Sequence, residues 1–261
     1  MFSKIIILLY LVFNFSCSQE SRGSAAAIFA SSSQDSTKIW APKQLKKYYK
    51  DVDFSFRGED LYDALAVATI ANHTNILTYS KRHNYLYKID AVPRQKDSVI
   101  LMYTGEKRYW KEYVSGKNNY PVQTFNTEHV YPQSLIENTA KGDLHHLRVC
   151  NERTNTRRSN NPFTDGSGRY KLKYKSWYPG DEWKGDVARM IMYLSLRYDE
   201  SFEDVGGLNL FLKWNAEDPV SEFEKQRNEQ IFLVQGNRNP FIDNPFLATL
   251  TWGGPKAENL W

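Results

Sequence analysis

Cysteines and long apolar runs are scarce in this sequence. Its 261 residues include two cysteines, Cys17 and Cys150, and if Cys17 is removed or acylated no internal disulfide can form. The apolar run 5–13 is too short to span a bilayer, and no other segment is apolar enough to cross one. A disulfide scaffold and a membrane-spanning protein are therefore excluded, and a chain of this length can fold around its own core.

The first residues have the pattern of an export signal. Lys4 precedes the apolar run, and Cys17 follows it within the segment Asn-Phe-Ser-Cys-Ser at 14–18. This position resembles a bacterial lipoprotein cleavage site, at which Cys17 would be acylated, and an ordinary signal peptide cut nearby is the alternative. We expect a signal peptide over 1–17, a flexible tether rich in Ser and Ala over 18–41 and the folded domain over 42–261. The protein is then exported to the periplasm, the cell envelope or the medium.

The composition is that of a globular protein with one strongly basic stretch. Apolar residues make up 41%, charged residues 25% and aromatic residues 15%, and the formal net charge is +4. Residues 141–175 hold nine Lys or Arg and three acids, so their local excess is 9 − 3 = +6. Such a stretch suits a polyphosphate ligand, and a solvated basic face is the alternative.

Hydrophobic periodicity predicts a mostly helical α+β domain with short strands. Apolar residues recur at helical spacing over 59–72 and 186–198, and a buried strand is predicted over 98–103. Asp218 and Pro219 are expected to open another helix, which ends at Gly236. We find no repeat or low-complexity stretch from Tyr48 onward, and a single domain follows.

The residues suited to chemistry lie in the segments 126–132 and 143–160. Hydrolysis of a phosphodiester needs a base near neutrality, a cation at the phosphoryl oxygens and a group such as Arg that clamps phosphate. A carboxylate and an amide oxygen are sensible protein ligands for Mg²⁺. Glu128 and His129 are adjacent, so an extended strand would point them to opposite faces, and spacing alone does not favour them over His145 and His146. A zinc site formed by His145, His146, Cys150 and Glu128 is a further alternative.

Five sequence blocks carry a resemblance to known proteins. They are Thr-Glu-His-Val-Tyr-Pro at 127–132, Asp-Leu-His-His-Leu-Arg at 143–148, Asn155 with Arg-Ser-Asn at 158–160, Gly-Asp-Val-Ala-Arg at 185–189, and Gln-Gly-Asn-Arg-Asn-Pro-Phe at 235–241. The blocks resemble the bacterial endonuclease I family, which includes periplasmic and secreted nonspecific nucleases and an extracellular ribonuclease branch. They occur in the family's order between about Tyr48 and Trp252, and Val149 departs from the proline that many members have at that point.

The resemblance implies a ββα-metal core, in which two strands and a helix fold around one metal ion. It puts the block at 127–132 on the first strand, the block at 143–148 on the second and Asn155 on the helix. Glu128 and Asn155 would then hold Mg²⁺, with Mn²⁺ or Ca²⁺ as alternatives, and His129 would be the general base.

Other residues receive supporting roles from the same resemblance. Arg158 is expected to contact the scissile phosphate, with Arg157 as a less favoured substitute, and His145 or His146 to orient groups around the metal. The residues expected to contact nucleic acid are Arg148, Arg157, Asn160 and Arg189.

The resulting functional prediction is a metal-dependent endonuclease that cuts DNA, RNA or both without sequence specificity. A nuclease restricted to RNA is one alternative. An inactive nucleic-acid-binding surface lipoprotein is another, and it would be expected to lack Glu128, His129 or Asn155, all of which are present. We expect a monomer with no protein partner.

Overall fold

The computed structural model describes residues 38–136 and 139–261. The predicted signal peptide, Cys17 and most of the predicted tether lie outside the described residues. Ile39 and Ala41 are buried in the main core, so the packed domain begins before the predicted boundary at residue 42. No helix within the described ranges is long and apolar enough to cross a membrane.

Over the residues described, the fold is α+β and combines helices with three small antiparallel sheets. The strands are β1 (Ala91–Val92), β2 (Gln95–Ile100), β3 (Lys107–Tyr109), β4 (Phe125–His129), β5 (Leu147–Asn151), β6 (Arg169–Lys173) and β7 (Ser176–Gly180). The α-helices are α1 (Gly58–Asn72), α2 (Leu86–Ile89), α3 (Glu152–Arg158), α4 (Lys184–Tyr198), α5 (Leu208–Glu217), α6 (Glu222–Gln235), α7 (Pro240–Asp243) and α8 (Phe246–Trp252). Short 3₁₀-helices cover Tyr79–Asn84, Gln133–Leu135, Thr139–Gly142 and Glu203–Val205.

Helix α4 forms the centre of the main core. Every residue from 185 to 196 is buried, and α4 packs against α1, α5 and α7. Two charged side chains on this helix are buried with the apolar ones. Arg189 bonds to Glu224 of α6 with both Nε and Nη2, at 2.6 and 2.8 Å, and Asp186 accepts a bond of 2.9 Å from Arg148 of β5. These ion pairs tie α4 to its neighbours, and each partner offsets the desolvation of the other.

Helix α6 starts later than predicted. Ser221 caps it and forms a reciprocal capping box with Glu224, so the helix begins at Glu222 and not at Asp218 and Pro219. Asp218 instead accepts a hydrogen bond from the backbone of Gly185, 33 residues away. The predicted end is confirmed, because Gly236 adopts a φ of 87°. A Cβ there would also meet the backbone oxygen of Asn72 at 2.5 Å.

Strands β4 and β5 and helix α3 form a compact ββα unit. The strands pair antiparallel, with Glu128 opposite Arg148, and α3 follows β5 directly. Asn151 caps α3 by accepting hydrogen bonds from the backbone of Arg153 and Thr154. The second strand begins at Leu147, so the predicted histidine pair lies in the turn before it and not on the strand. The unit brings the end of β4 beside the outer face of α3.

Candidate active site

A cavity of about 480 Å³ lies where the end of β4, the following loop and α3 meet. Glu128 and His129 are the last two residues of β4, and both line it because the cavity surrounds the end of the strand. Asn155, Arg158 and Asn160 also line it. The other lining residues are Tyr79, Thr127, Pro132, Gln133, Ser134 and Ser159.

A larger cavity of about 540 Å³ lies along α1 and the segment before it. Its lining includes three acids, Asp51, Asp60 and Asp63, against one base, Lys50, together with several apolar side chains, and it includes no histidine or arginine. The net negative charge of this lining would repel a polyanion. The smaller cavity is therefore the candidate active site.

Glu128 is a buried carboxylate held by two neighbours. The hydroxyl of Tyr103 donates to its Oε1 at 2.8 Å, and Nε of Arg158 lies 3.4 Å from the same oxygen. Burial raises the pKa of Glu128, while Arg158 and the bond from Tyr103 act in the opposite direction. Within the described ranges no group donates a hydrogen bond to Oε2. One oxygen of a buried acid is thus held in place, and the other can bind a cation.

Asn155 is oriented by its amide nitrogen. Nδ2 donates to Oδ1 of Asn126 at 2.7 Å and to the backbone oxygen of Thr127 at 3.1 Å. Both partners are oxygens that accept, so the end of the amide that faces them is the nitrogen, and the amide oxygen stays available. A carboxylate oxygen and an amide oxygen at one cavity are hard ligands, and this set fits Mg²⁺, which keeps several waters.

His129 has a defined tautomer. Its Nε2 lies 3.2 Å from the backbone oxygen of Lys141, and a carbonyl oxygen only accepts, so the ring hydrogen is on Nε2. Burial lowers the pKa of His129 to about 3, and the nearby His146 acts in the same direction. The ring is therefore neutral at pH 7, and Nδ1 carries the lone pair that can take a proton.

Rings on both sides hold His129 in position. The Tyr79 ring lies 4.7 Å from it between centroids, and the His146 ring lies 5.3 Å away. His146 is fixed by its own bond of 2.9 Å from Nε2 to the backbone oxygen of Ala140. His145 lies elsewhere, with Nε2 3.3 Å from the backbone oxygen of Asn237, outside the cavity lining. Of the two predicted supporting histidines, His146 alone contacts a ring of the site.

The arginines divide into buried and exposed groups. Arg158 is buried but lines the cavity, and its guanidinium donates to the backbone oxygen of Val130 at 2.7 Å. Arg157 is exposed on α3. Arg148 and Arg189 are 0% exposed and paired with carboxylates. The prediction that Arg148 and Arg189 contact nucleic acid is corrected, because a ligand cannot reach them in the folded chain.

The alternative zinc site is not formed. Among residues 38–136 and 139–261 no group of three or more His, Cys, Asp or Glu side chains could hold a metal ion. Cys150 contacts the backbone oxygen of Met102, while His145 and His146 bond to different carbonyls. The four residues of that prediction therefore do not share a site.

Several residues that shape the site carry no recognisable signal in the sequence. Tyr103 supplies the hydroxyl bonded to Glu128, 25 residues away in the chain. Tyr79 packs on His129 and is covered by the Arg82 guanidinium, 3.8 Å above its ring. Arg82 also donates to the hydroxyl of Thr127 at 2.9 Å. No local pattern marks these three residues, because their partners come from other elements.

A buried acid, an amide oxygen, a neutral histidine and an arginine on a ββα unit define a phosphodiesterase type of site. Comparison with known proteins gives the family. The sequence profile described as Endonuclease I matches residues 61–246, more than half of the chain. The chain belongs to the Endonuclease I family and is a hydrolase acting on nucleic acids, which confirms the resemblance of the five sequence blocks.

Several characterised relatives are similar to the chain. An extracellular ribonuclease of Bacillus amyloliquefaciens is 36% identical over 247 residues, covering 84% of this chain and 83% of that protein. One from Bacillus subtilis (strain 168) is 36% identical over 236 residues, covering 78% and 80%. An extracellular deoxyribonuclease of Aeromonas hydrophila is 29% identical over 117 residues, covering 41% and 51%.

Proposed function

We propose that this protein is an exported, metal-dependent endonuclease that cleaves polymeric nucleic acid without sequence specificity, with RNA as its preferred substrate. The observation that carries the proposal is the meeting of Glu128, His129 and Asn155 at one cavity. The preference for RNA is supported by the two relatives that cover most of the chain, both of which are named ribonucleases. Cleavage of DNA is the broader alternative, since the phosphates of both polymers are alike.

In the proposed mechanism, Glu128 and the amide oxygen of Asn155 hold the metal ion. When bound, Mg²⁺ (or Mn²⁺ or Ca²⁺) supplies positive charge where negative charge develops on the phosphoryl and leaving oxygens. Arg158 lies 3.4 Å from Glu128, and its guanidinium adds a second positive group beside the phosphate. Asn160 and Arg157 are exposed next to it and contact the polymer backbone.

His129 takes the proton from the attacking water at Nδ1. Donation from Nε2 to the carbonyl of Lys141 holds the ring and stabilises the imidazolium that forms. The low pKa of the buried ring keeps it neutral before the substrate arrives. The negative charge of a phosphate in the cavity would favour the protonated ring, and the positive charge of a metal ion held by Glu128 would oppose it. His146 serves as a packing support for His129, through the ring contact at 5.3 Å.

The test compares cleavage of a long RNA and of plasmid DNA by the full chain, with Mg²⁺ or with a chelator. We expect cleavage of RNA with Mg²⁺, slower cleavage of DNA and none with the chelator. Glu128→Gln should abolish most activity because it removes the charge of a ligand while keeping its shape. Glu112→Gln is the matched control, since Glu112 bonds to Thr124 outside the cavity. Equal rates with the chelator would refute the metal requirement, and faster cleavage of DNA would refute the RNA preference.

Export is part of the proposal. The relatives named extracellular support it, together with the sequence pattern of residues 1–17. We propose that Cys17 is acylated and becomes the mature N-terminus, which would attach the enzyme to a membrane surface. Mass spectrometry of the mature N-terminus tests this: an acylated Cys17 is expected, a free amine at a nearby residue would indicate simple secretion, and an intact Met1 in the cytosol would contradict export.

A further inference from the structure

The hairpin formed by β6 and β7 carries an unusual share of the charge. Residues 166–180 contain four basic residues, Arg169, Lys171, Lys173 and Lys175, and no acidic residue, so their net charge is +4. The whole chain also has a formal net charge of +4, so the remaining residues balance to 4 − 4 = 0. The basic character of the protein is therefore concentrated in this one hairpin, which the proposed mechanism does not use.

Three of these cations form a row on one face. Along β6, Arg169, Lys171 and Lys173 are exposed, while the intervening Tyr170 and Leu172 are half-buried. Alternate residues of a strand lie on the same face, at a repeat of about 6.7 Å. This repeat is comparable with two steps of about 3.4 Å between charges along one nucleic-acid strand. The row is therefore suited to an extended chain of phosphates.

No carboxylate forms an ion pair with the row, although Lys171 lies near enough to Asp181 to help lower the pKa of that acid. Within the part of the chain that the structure describes, none of the four cations lies within ion-pairing distance of an acid. The ammonium groups of Lys171 and Lys173 donate to neutral backbone oxygens. The adjacent Asp165 pairs with Lys213, and Asp181 accepts from the backbone of Gly168. The field of the hairpin thus remains positive toward solvent.

The tip of the hairpin presents an aromatic ring. Lys173 pairs with Ser176, so Tyr174 and Lys175 form a two-residue turn in which Tyr174 has a φ of 55°. Turns of this length favour Gly or Asn at such positions, and another side chain there costs about 1–2 kcal/mol. Tyr174 is 100% exposed, so no packing offsets that cost. An exposed, strained aromatic beside cations is suited to stacking on a base.

The inner face of the hairpin leads to the active site. The Tyr170 ring lies 5.6 Å from the ring of Trp177, which lies 5.4 Å from the ring of Tyr103. The hydroxyl of Tyr103 then donates to Glu128. The hairpin is also anchored by bonds between the backbone of Trp177 and residues 162 and 164. Its row of cations is thereby held at a fixed position relative to the cavity.

We propose that the β6–β7 hairpin is a second nucleic-acid contact, which binds the backbone of one strand of the polymer beyond the cleaved bond. Arg169, Lys171 and Lys173 contact alternate phosphates of that strand, and Tyr174 stacks on an unpaired base. This inference rests on the proposed function, because it assigns where that substrate continues outside the cavity. It makes the enzyme favour long, single-stranded substrates over short ones.

The test measures binding and cleavage with the triple variant R169Q/K171Q/K173Q. Binding of a labelled single-stranded RNA of 20 nucleotides is followed against salt, in a His129→Ala background of the full chain in which cleavage is slowed. We expect about 10-fold weaker binding near 0.15 M salt and a log–log salt slope smaller by about 2 units, from three lost phosphate contacts. With His129 restored, KM should rise for long RNA and stay unchanged for a dinucleotide that fills only the cavity.

The matched control removes the same charge elsewhere. K43Q/K46Q/K47Q changes three exposed lysines in the segment before Tyr48 and should leave both the affinity and the slope near the parent values. Tyr174→Ser tests the tip alone, with a smaller loss of affinity expected and no change in the salt slope. Because the substituted side chains are exposed, an unchanged thermal melt is expected for each variant.

Three results would overturn the inference. Equal binding by the hairpin and control triples would show that the position of the charge does not matter. The variant R169Q/K171Q/K173Q could self-associate while its RNA affinity stays normal. This result would mean that the cations only prevent the exposed strand from pairing with another chain. Loss of binding to phosphatidylglycerol vesicles with RNA binding unchanged would identify a lipid surface instead. The proposed function fails separately, if the parent chain neither binds nor cleaves RNA.

Discussion

At the scale of single residues, the site depends on the groups that position Glu128 and His129 and shift their pKa values. Glu128 is buried, and its charge is stabilised by the hydroxyl of Tyr103 and by Arg158. His129 is buried too, yet burial disfavours its charged form, so it is neutral. Burial disfavours charge on both groups, so it raises the pKa of Glu128 and lowers that of His129. Arg158 and Tyr103 oppose this effect of burial at Glu128, and the bond to the backbone of Lys141 opposes it at His129.

The first prediction concerns the base. His129→Ala should lower the turnover rate by roughly 10²- to 10⁴-fold, because no other group in the cavity lining is positioned to take the proton. Affinity for Mg²⁺ and for RNA should stay near wild type, since Glu128, Asn155 and Arg158 are untouched. Rate, metal titration and thermal melt measured on one preparation check this.

His83→Ala is the control for that experiment. His83 lies outside the cavity lining and contacts Tyr87 and Tyr113, so its replacement should change the turnover rate less than 2-fold. A folded, metal-binding His129→Ala variant that cuts RNA at the wild-type rate would refute the assignment of the base.

The second prediction concerns Tyr103, which lies behind the proposed metal ligand. Tyr103→Phe keeps the ring contact with Trp177 and removes the hydrogen bond to Glu128. A bond to a charged group contributes about 1.5 kcal/mol, so the Mg²⁺ concentration for half-maximal activity should rise roughly 10-fold. At saturating Mg²⁺ the rate should return to near wild type. Tyr62→Phe, which loses a bond to the backbone oxygen of Ser195, should leave the metal titration unchanged. An unaltered titration for Tyr103→Phe would mean that this hydroxyl does not support the metal site.

At the scale of elements, the sequence predicts the helices and strands that depend on local residue patterns. It does not predict the contacts between residues that are far apart in the chain. Helix α4 was predicted over 186–198 and spans Lys184–Tyr198, because its apolar residues recur at helical spacing. The strand predicted over 98–103 is shifted to Gln95–Ile100, and Leu101 and Met102 are buried beyond its end. The order strand, strand, helix around the site is confirmed, apart from the histidine pair that precedes β5.

The failed predictions have a common physical cause. Arg148 and Arg189 lie in matched blocks within or near a basic stretch, which suggested contact with phosphate. Their carboxylate partners are 38 and 35 residues away, so no window of sequence shows that the charges are neutralised. The predicted start of α6 was wrong for a similar reason. The side chain of Asp218 accepts a hydrogen bond from the backbone of Gly185 in α4, and Ser221 caps α6 instead. Predictions from charge alone fail where the fold supplies a buried counter-ion.

The third prediction tests the structural role of Arg189. Arg189→Met keeps a long side chain but leaves Glu224 buried without its counter-ion, which should cost about 3–5 kcal/mol of unfolding free energy. The melting temperature should fall by roughly 10 °C. Arg157→Met, at an exposed position on α3, should change stability by less than about 0.5 kcal/mol while weakening RNA binding. Thermal melts and RNA titrations of both variants check this. If Arg189→Met weakened RNA binding and left stability unchanged, Arg189 would be a nucleic-acid contact after all.

At the scale of the whole molecule, histidine burial is general. The chain has five histidines, and the pKa of each is lowered with burial as the largest cause. In an unfolded chain these rings titrate near 6.5. Between pH 6.5 and the lowered values, the unfolded chain binds protons that the folded chain does not. Each buried ring therefore makes the fold less stable as the pH falls through this window.

The fourth prediction isolates one of these rings. Burial lowers the pKa of His145 to about 4, although Asp143 acts in the opposite direction. Its stabilising contribution is fully present above pH 6.5 and is lost as the pH falls toward 4. Between pH 6 and pH 5, wild type should thus lose about 1 kcal/mol more unfolding free energy than His145→Gln, in which the amide can still donate to Asn237. Titrating groups that do not interact with His145 cancel in this difference, so urea unfolding of both proteins at each pH measures this ring together with its neighbours Asp143 and His73. Between pH 8 and pH 9, where neither state protonates His145, the two stabilities should run parallel, which serves as the internal control. Parallel curves through pH 5 as well would mean that His145 becomes charged inside the fold, with Asp143 as its counter-ion.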